Sequence, residues 1–156
     1  MNRDQIKNAL EDDVFDWGLV HFGHTDYIRD YLMYFDGSTR TQRFALKYRF
    51  INCVIAESAT SLSSDVWRRS LEDNLIGSLD DVVAPVGGWV WATCYGDMYP
   101  GATLLDSSVE ADHWSAELGI PFYEALVEAP PIRLRVVFSD LIVEETTPGE
   151  SPFTSD

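Results

Sequence analysis

The feature that most constrains the fold is a two-residue alternation between residues 43 and 50. Apolar side chains stand at every second position and mostly basic ones between them: Phe44, Leu46, Tyr48 and Phe50 against Arg43, Ala45, Lys47 and Arg49. Because successive side chains of a strand point to opposite faces, this segment predicts a strand with one face in a core and one basic face. The apolar residues that follow extend the predicted strand to about Glu57, covered on both faces at its far end.

Further segments have the composition of strands. Aromatic and branched residues predict strands over residues 27–35, 89–95, 122–128 and 132–143. The turn residues 36–39 predict that the first of these pairs as a hairpin with the strand beginning at Arg43. In the last segment the apolar positions change from even to odd numbers after Phe138, which predicts a bulge or bend near Ser139 and Asp140.

Three segments predict helices. Residues 3–12 are amphipathic, and residues 64–71 begin with Ser64 and Asp65, which can cap a short helix. Ser107 and Glu110 have the Ser-x-x-Glu spacing of a capping box, and Gly119 ends the helix that this box begins.

Together these segments predict an α+β fold. We expect a single domain over residues 1–145, with a mostly antiparallel sheet of about five or six strands, a short N-terminal helix and a late inserted helix. Residues 146–156, rich in Pro, Ser and Glu, predict a flexible acidic tail. A chain of 156 residues is long enough for one domain with a substantial core.

The chain is strongly and unevenly acidic. Eleven Lys and Arg stand against 26 Asp and Glu, a formal charge of −15, and the three successive thirds carry −1, −5 and −9. From Ser70 to Ile132 there is no Lys or Arg. Such a field repels nucleic acid and anionic membranes and attracts a basic protein, so we predict no direct nucleic acid or membrane partner.

Other features point to a cytoplasmic protein without a cofactor. The polar N-terminus lacks the apolar stretch of a signal peptide, and no run is long enough to span a membrane. Cys53 and Cys94 lie in apolar runs and are interpreted as reduced core thiols. The stringent nucleotide-binding, hydrolase and redox motifs do not occur, so we predict no enzymatic activity.

The histidines offer the only candidate metal ligands. His21, His24 and Asp26 could hold zinc and support a small metal-dependent hydrolase. In a strand, however, positions 21 and 24 face opposite sides, so a structural or surface role is favoured. His113, between Glu110 and Glu117 on the predicted helix, is interpreted as a solvated surface residue.

The basic strand face has two interpretations. Arg43, Lys47 and Arg49, with Arg29, could dock phosphate, or they could form cross-strand ion pairs with Asp30 and neighbouring acids. The net charge of −15 favours ion pairs.

A partner surface is predicted in the acidic part of the chain. Trp89, Trp91 and Tyr95 share one face of their predicted strand and suit either a core or an interface. The predicted partner-binding residues are Glu72, Asp73, Asp80, Asp81, Asp97, Glu110, Asp112, Trp89 and Trp91.

Five parts of the chain carry a family likeness: residues 25–31, 65–71, 99–101, 114 with 118–120, and 138–141. They resemble the YxiG-like domain family of small, uncharacterised bacterial proteins. The resemblance covers nearly the whole chain and brings no catalytic residues. The family is similar to small immunity-type proteins encoded near secreted toxins, so the resemblance implies an inhibitor role.

Three functions therefore remain open. The leading hypothesis is an immunity-like inhibitor that blocks a basic toxin or effector domain such as a nuclease. The first alternative is a nucleic-acid mimic that occupies the DNA-binding groove of a host defence or regulatory protein. The second is the hydrolase that would use His21 and His24. The identity of the partner and the oligomeric state stay open.

Overall fold

The computed structural model describes residues 1–25, 27–70 and 95–150. The described helices are α1 (Arg3–Asn8), which continues into a π-helical turn at Ala9–Asp13, α2 (Ser64–Ser70) and α3 (Val109–Leu118). The described strands are β1 (Gly18–His24), β2 (Tyr31–Ser38), β3 (Arg43–Ile51), β4 (Ile55–Thr60), β5 (Gly96–Asp97), β6 (Gly101–Leu104), β7 (Tyr123–Ala129), β8 (Ile132–Phe138) and β9 (Asp140–Thr146).

The strands form two antiparallel sheets. The first sheet has the order β5-β1-β2-β3-β9 and the second has the order β4-β8-β7-β6. Strand β3 pairs with both β2 and β9, so the strand with the clearest alternation lies inside the first sheet. The predicted hairpin of β2 and β3 is confirmed, although β2 begins at Tyr31 and not at residue 27.

Two chain segments pass from one sheet to the other at the same corner. The predicted strand from 43 to 57 is divided, because β3 belongs to the first sheet and β4 to the second. The segment 132–143 is likewise divided at Ser139 into β8 and β9. Here the Ser139 N–H donates to the Ile51 carbonyl at 2.9 Å, and the Asn52 amide donates to Ser139 Oγ at 2.8 Å. The bend predicted from the change of parity after Phe138 is therefore a crossing between sheets.

The main core lies between the inner faces of the two sheets. Tyr48 and Phe50 are fully buried there, which confirms the predicted core face of β3. The rings of Phe50 and Phe138 join the sheets, with centroids 4.9 Å apart and planes at 80°. Cys53 is a buried free thiol, and burial raises its pKa to about 12, so it stays protonated at neutral pH.

The N-terminal helix covers one side of this core. Ile6 and Leu10 are buried in it, and the Tyr48 hydroxyl donates to the Ala9 carbonyl at 2.7 Å. The Glu11 carboxylate accepts the Leu104 N–H at 3.0 Å, so it satisfies a donor of β6, which stands at the edge of the second sheet.

Helix α3 packs on the outer face of the second sheet, where Ala111 and Phe122 enclose Val137. Its N-cap is Ser108, which accepts the Ala111 N–H, and not the predicted Ser107. The Ser108 hydroxyl donates to the buried Glu124 carboxylate, which also accepts Arg135 Nε at 2.6 Å. This contact with β7 explains why the second serine and not the first caps the helix.

The α+β class, the antiparallel pairing, the short N-terminal helix and the late inserted helix are confirmed. The left-handed conformation at Gly119, with φ 67°, ends α3 where the sequence predicted. Most of the predicted strand 89–95 lies outside the described residues. Among the described residues, no helix has the length and apolar character needed to cross a bilayer.

Candidate functional site

The predicted site residues are only partly within the described structure. Glu72, Asp73, Asp80, Asp81, Trp89 and Trp91 lie outside the described residues, as do Asp26 and Cys94. Glu110 and Asp112 lie on α3, against the second sheet. Asp97 lies on β5, at the edge of the first sheet. The predicted partner-binding acids that the structure describes thus lie in two separate parts of the fold.

Asp97 lines a cavity of about 590 Å³ at the end of the first sheet, which we call the Asp16–Asp97 pocket. Its aromatic walls are Phe15, Trp17 and Tyr95, and Gly18 and Gly37 also line it. The charged residues of its lining are Asp16, Asp36, Arg43 and Asp97. Acidic and aromatic groups therefore share one concave surface.

Backbone pairing brings the two key carboxylates together. Gly18 of β1 pairs with Asp97 of β5, the Asp16 N–H donates to the Met98 carbonyl at 3.0 Å, and the Met98 N–H donates to the Trp17 carbonyl at 2.8 Å. A Cβ at Gly96 would lie 2.4 Å from the Ala129 carbonyl oxygen, so only glycine fits where β5 meets the second sheet. The position of Asp97 is thus set from both sides.

The charges in the pocket do not cancel. The Arg43 guanidinium lies 3.3 Å from the Asp36 carboxylate and neutralises it. Within the described part of the chain, Asp16 and Asp97 form no ion pair, and both are exposed. Although the residue as a whole is exposed, partial burial of its carboxyl group raises the pKa of Asp97, and the Asp16 carboxylate raises it further. Asp16 and Asp97 therefore repel each other, and a cation bound between them would relieve this repulsion.

Glycines let the aromatic rings lie directly on the backbone. A Cβ at Gly37 would lie 2.4 Å from Phe44 Cε2 and 2.7 Å from the Trp17 ring, and one at Gly18 would lie 3.0 Å from the Tyr95 ring. The Trp17 ring also packs on Phe44, with centroids 4.7 Å apart. The Trp17 wall of the pocket thus lies over Gly37 with the Phe44 ring beside it.

Replacing Gly37 by alanine is expected to reduce the free energy of unfolding by about 1–3 kcal/mol, because the new methyl group overlaps two rings. Urea unfolding followed by far-ultraviolet circular dichroism measures the change. Ser38→Ala alters the exposed neighbouring residue and should change stability by less than about 0.5 kcal/mol. Equal stability of Gly37→Ala and the wild type would show that the ring positions are not constrained as described.

The histidine pair does not form a common site. On β1, His21 pairs with Tyr34 and His24 with Tyr31. Tyr31 belongs to the core and Tyr34 lies on the opposite face, so the two histidines flank different faces of the sheet. Among the described residues there is no group of three or more His, Cys, Asp or Glu able to hold a metal ion. His113 is exposed, as predicted.

The basic face of β3 is an ion-pair network, as the sequence favoured. Lys47 lies 2.7 Å from Glu144, and the Arg49 guanidinium lies 2.6 Å from Asp30. Asp30 is almost fully buried and also accepts Arg29 Nε at 3.0 Å and the Asn52 N–H at 3.1 Å. Burial alone would raise the pKa of Asp30, but these hydrogen bonds outweigh it and lower the pKa to about 2.

A second groove, with a volume of about 620 Å³, has a mostly apolar lining. It lies between the turn before β2 and the end of α3, with Ile28, Arg29, Trp114, Leu118 and Ile120 among its residues. Ile28 has a φ of 55°, which is uncommon for a branched side chain, and is largely exposed. Two stretches of the family resemblance, 25–31 and 114 with 118–120, therefore meet at this groove.

Sequence reasoning named Asp97 among the predicted partner-binding residues, but it did not name Asp16 and Trp17, which line the same pocket. The segment Phe15-Asp16-Trp17-Gly18 carries no standard motif, and strand β1 was not predicted from its composition. One signal was present: a tryptophan followed by glycine between a helix and a strand, a place where a ring can lie on the backbone.

The fold and its pocket define a small α+β protein with an acidic, aromatic cavity. The chain matches the YxiG-like protein family over residues 2–156 and belongs to that family. No curated protein matches the chain. Among solved structures, it is similar to an uncharacterised protein from Neisseria gonorrhoeae, with 10% sequence identity and a TM-score of 0.42 over 83% of this chain and 91% of that chain. A likeness this weak supports no argument about function.

Proposed function

We propose that this YxiG-like protein is a non-enzymatic binding protein of the cytoplasm that captures a basic toxin or effector domain and inhibits it. The observation that carries the proposal is the set of exposed carboxylates left after the basic side chains are paired. The aromatic residues that line the same pocket as Asp16 and Asp97 also support the proposal.

Internal ion pairs engage most of the positive charge. Carboxylates lie within 4.0 Å of the side-chain nitrogens of Arg3, Lys7, Arg29, Arg43, Lys47, Arg49, Arg68, Arg133 and Arg135. These cations are therefore poorly placed to attract phosphate, and the negative charge that remains dominates the field around the molecule.

The remaining acids include several from the near-neutral first third of the chain. Among the described acids, those that are exposed and outside these ion pairs are Asp4, Asp12, Asp13, Asp16, Asp97, Asp112, Glu117, Glu145 and Glu150. The sequence had placed the partner on the later, more acidic part of the chain alone. The proposed partner surface instead extends to Asp16, which lines the same pocket as Asp97.

Aromatic side chains near these acids suit an interface. Phe15, Tyr95 and Tyr99 are all more than two-fifths exposed, and the rings of Phe15 and Tyr99 lie 5.9 Å apart, edge to face. Partly exposed aromatic residues are common energetic centres of interfaces, and charges at the rim accelerate association. Such a surface favours a basic protein partner over nucleic acid or an anionic membrane.

The test uses the full chain and the toxin domain encoded beside its gene. We expect the two to associate, the chain to protect cells that express the toxin, and the association rate to fall about tenfold or more as salt is raised from low to physiological concentration. Surface plasmon resonance measures the rates. Absence of association at low salt, together with absence of protection, would refute the proposal.

Competition with DNA separates the nucleic-acid mimic from the toxin inhibitor. If a DNA-binding host protein is retained on the immobilised chain and DNA displaces it, the mimic gains support. If DNA has no effect on the captured toxin domain and the toxin is inhibited, the inhibitor hypothesis gains support.

A further inference from the structure

We propose that the Asp16–Asp97 pocket receives an arginine side chain of the basic partner, with the guanidinium between the two carboxylates and against the Trp17 ring. The inference rests on the proposed function and names the group that the same surface would recognise. A cationic, planar group matches both the charge and the aromatic walls of this cavity.

The charge of the pocket favours a cation. Arg43 is already bound to Asp36, so the pocket retains the negative charges of Asp16 and Asp97. A guanidinium between them would remove their mutual repulsion and could donate to both, because it carries five N–H groups in a planar fork. An anionic or neutral ligand would leave that repulsion in place.

The walls favour a planar cation over a compact one. Phe15, Trp17 and Tyr95 line the cavity, and guanidinium groups stack on aromatic rings while remaining hydrogen bonded at their edges. An ammonium ion is more strongly hydrated and presents no plane to the rings. We therefore expect arginine to bind better than lysine.

The pocket is built before the ligand arrives. The Trp17 ring is positioned by its packing over Gly37 and beside the Phe44 ring, and Asp97 is fixed by the pairing of β5 with β1. The cavity of about 590 Å³ exceeds one side chain, so it has room for the neighbouring backbone of the partner as well. A preformed site loses little conformational freedom on binding, which favours affinity.

The test titrates the ¹⁵N-labelled full chain with N-acetyl-arginine amide and, separately, with the neutral isostere N-acetyl-citrulline amide. We expect the amide resonances of Gly18 and Gly37 to shift saturably with the arginine compound and not with citrulline. The double variant Asp16→Asn, Asp97→Asn should weaken arginine binding about tenfold or more, since each pairing carboxylate becomes a neutral amide. Asparagine also tolerates the left-handed conformation of Asp16, where φ is 63°.

The matched control changes the charge equally at a distant surface. Glu57→Gln with Asp65→Asn removes two exposed acids of β4 and α2 that do not line the pocket, and it should change the affinity less than about twofold, because exposed charges at a distance are screened. Equal shifts with arginine and citrulline, or equal weakening in both double variants, would overturn the pocket proposal. Unchanged shifts outside the pocket in each variant verify that the fold is intact.

Binding of the toxin domain separates this inference from the proposed function. If the toxin binds the wild type and the Asp16, Asp97 variant equally well, the pocket proposal fails and the function stands. If the toxin does not bind at all but arginine still shifts Gly18 and Gly37, the function fails and the pocket stands.

Discussion

Replacement of Phe138 by alanine is expected to reduce the free energy of unfolding by about 3–5 kcal/mol, the largest stability effect of any single substitution considered for this chain. Phe138 is fully buried and its ring meets Phe50 of the other sheet edge to face, at 4.9 Å. Its loss leaves a cavity where the two sheets join, and this corner cannot collapse because the Ser139 hydrogen bonds hold both crossings in place. Urea unfolding measures the change.

The outer face of the same sheet supplies the control. Leu126 lies on β7 with about a third of its surface exposed, so Leu126→Ala should cost only about 1–2 kcal/mol. A double-mutant cycle of Phe138→Leu with Phe50→Leu should give a coupling of about 0.5–1.5 kcal/mol from the paired rings. A cost for Phe138→Ala no larger than that of Leu126→Ala would contradict a core that joins the two sheets.

Asp30→Asn is expected to reduce the free energy of unfolding by about 2 kcal/mol near neutral pH. The variant keeps the shape of the side chain but removes the charge that Arg29, Arg49 and the Asn52 N–H share. The effect stays below that of a fully buried pair, because both guanidinium groups are partly exposed to water. Unfolding in urea at pH 7 measures it.

The pH dependence of Asp30 has a defined sign. Its pKa is about 2 in the folded chain against an ordinary value of 3.8, so the folded state holds the proton less tightly than the unfolded state. The contribution of about 2 kcal/mol is complete above about pH 5 and is lost progressively as the pH falls through the unfolded value of 3.8 and then through 2. The difference between wild type and Asp30→Asn should therefore shrink by about half between pH 5 and pH 3.

An exposed ion pair gives the matched control. Asp65 pairs with Arg68 on the surface of α2, and Asp65→Asn should change stability by less than about 0.5 kcal/mol at any pH. If the Asp30 and Asp65 variants lose equal stability at pH 7, the buried carboxylate is not the centre of the network.

Strand β3 illustrates how far sequence reasoning extends. Alternation identified its buried and polar faces because side-chain direction in a strand is a local property of the backbone. The same pattern did not reveal that the chain changes sheets after Ile51. Alternation shows which residues of a strand are buried, but it does not show to which sheet the strand belongs. The buried positions change from even to odd numbers after Phe138, because the buried face of the chain changes there. This change is visible along the sequence, and it located the second crossing.

The helix cap at Ser108 shows a different limit. Two adjacent serines can both cap a helix, and the capping-box spacing favoured Ser107. The choice depends on Glu124, which β7 brings to the Ser108 hydroxyl from 16 residues away. A contact of this kind is absent from any local pattern.

The sequence by itself determined the α+β class, the faces of the main strand and the excess of negative charge. These follow from periodicity and composition, which are readable along the chain. Only the tertiary structure decided which acids are neutralised, because an ion pair depends on a few ångströms of strand register: Arg49 reaches Asp30 across 19 residues, and Arg135 reaches Glu57 across 78. For the same reason it alone placed Asp16 beside Asp97, where a β5–β1 pairing joins the nearly neutral part of the chain to the acidic part.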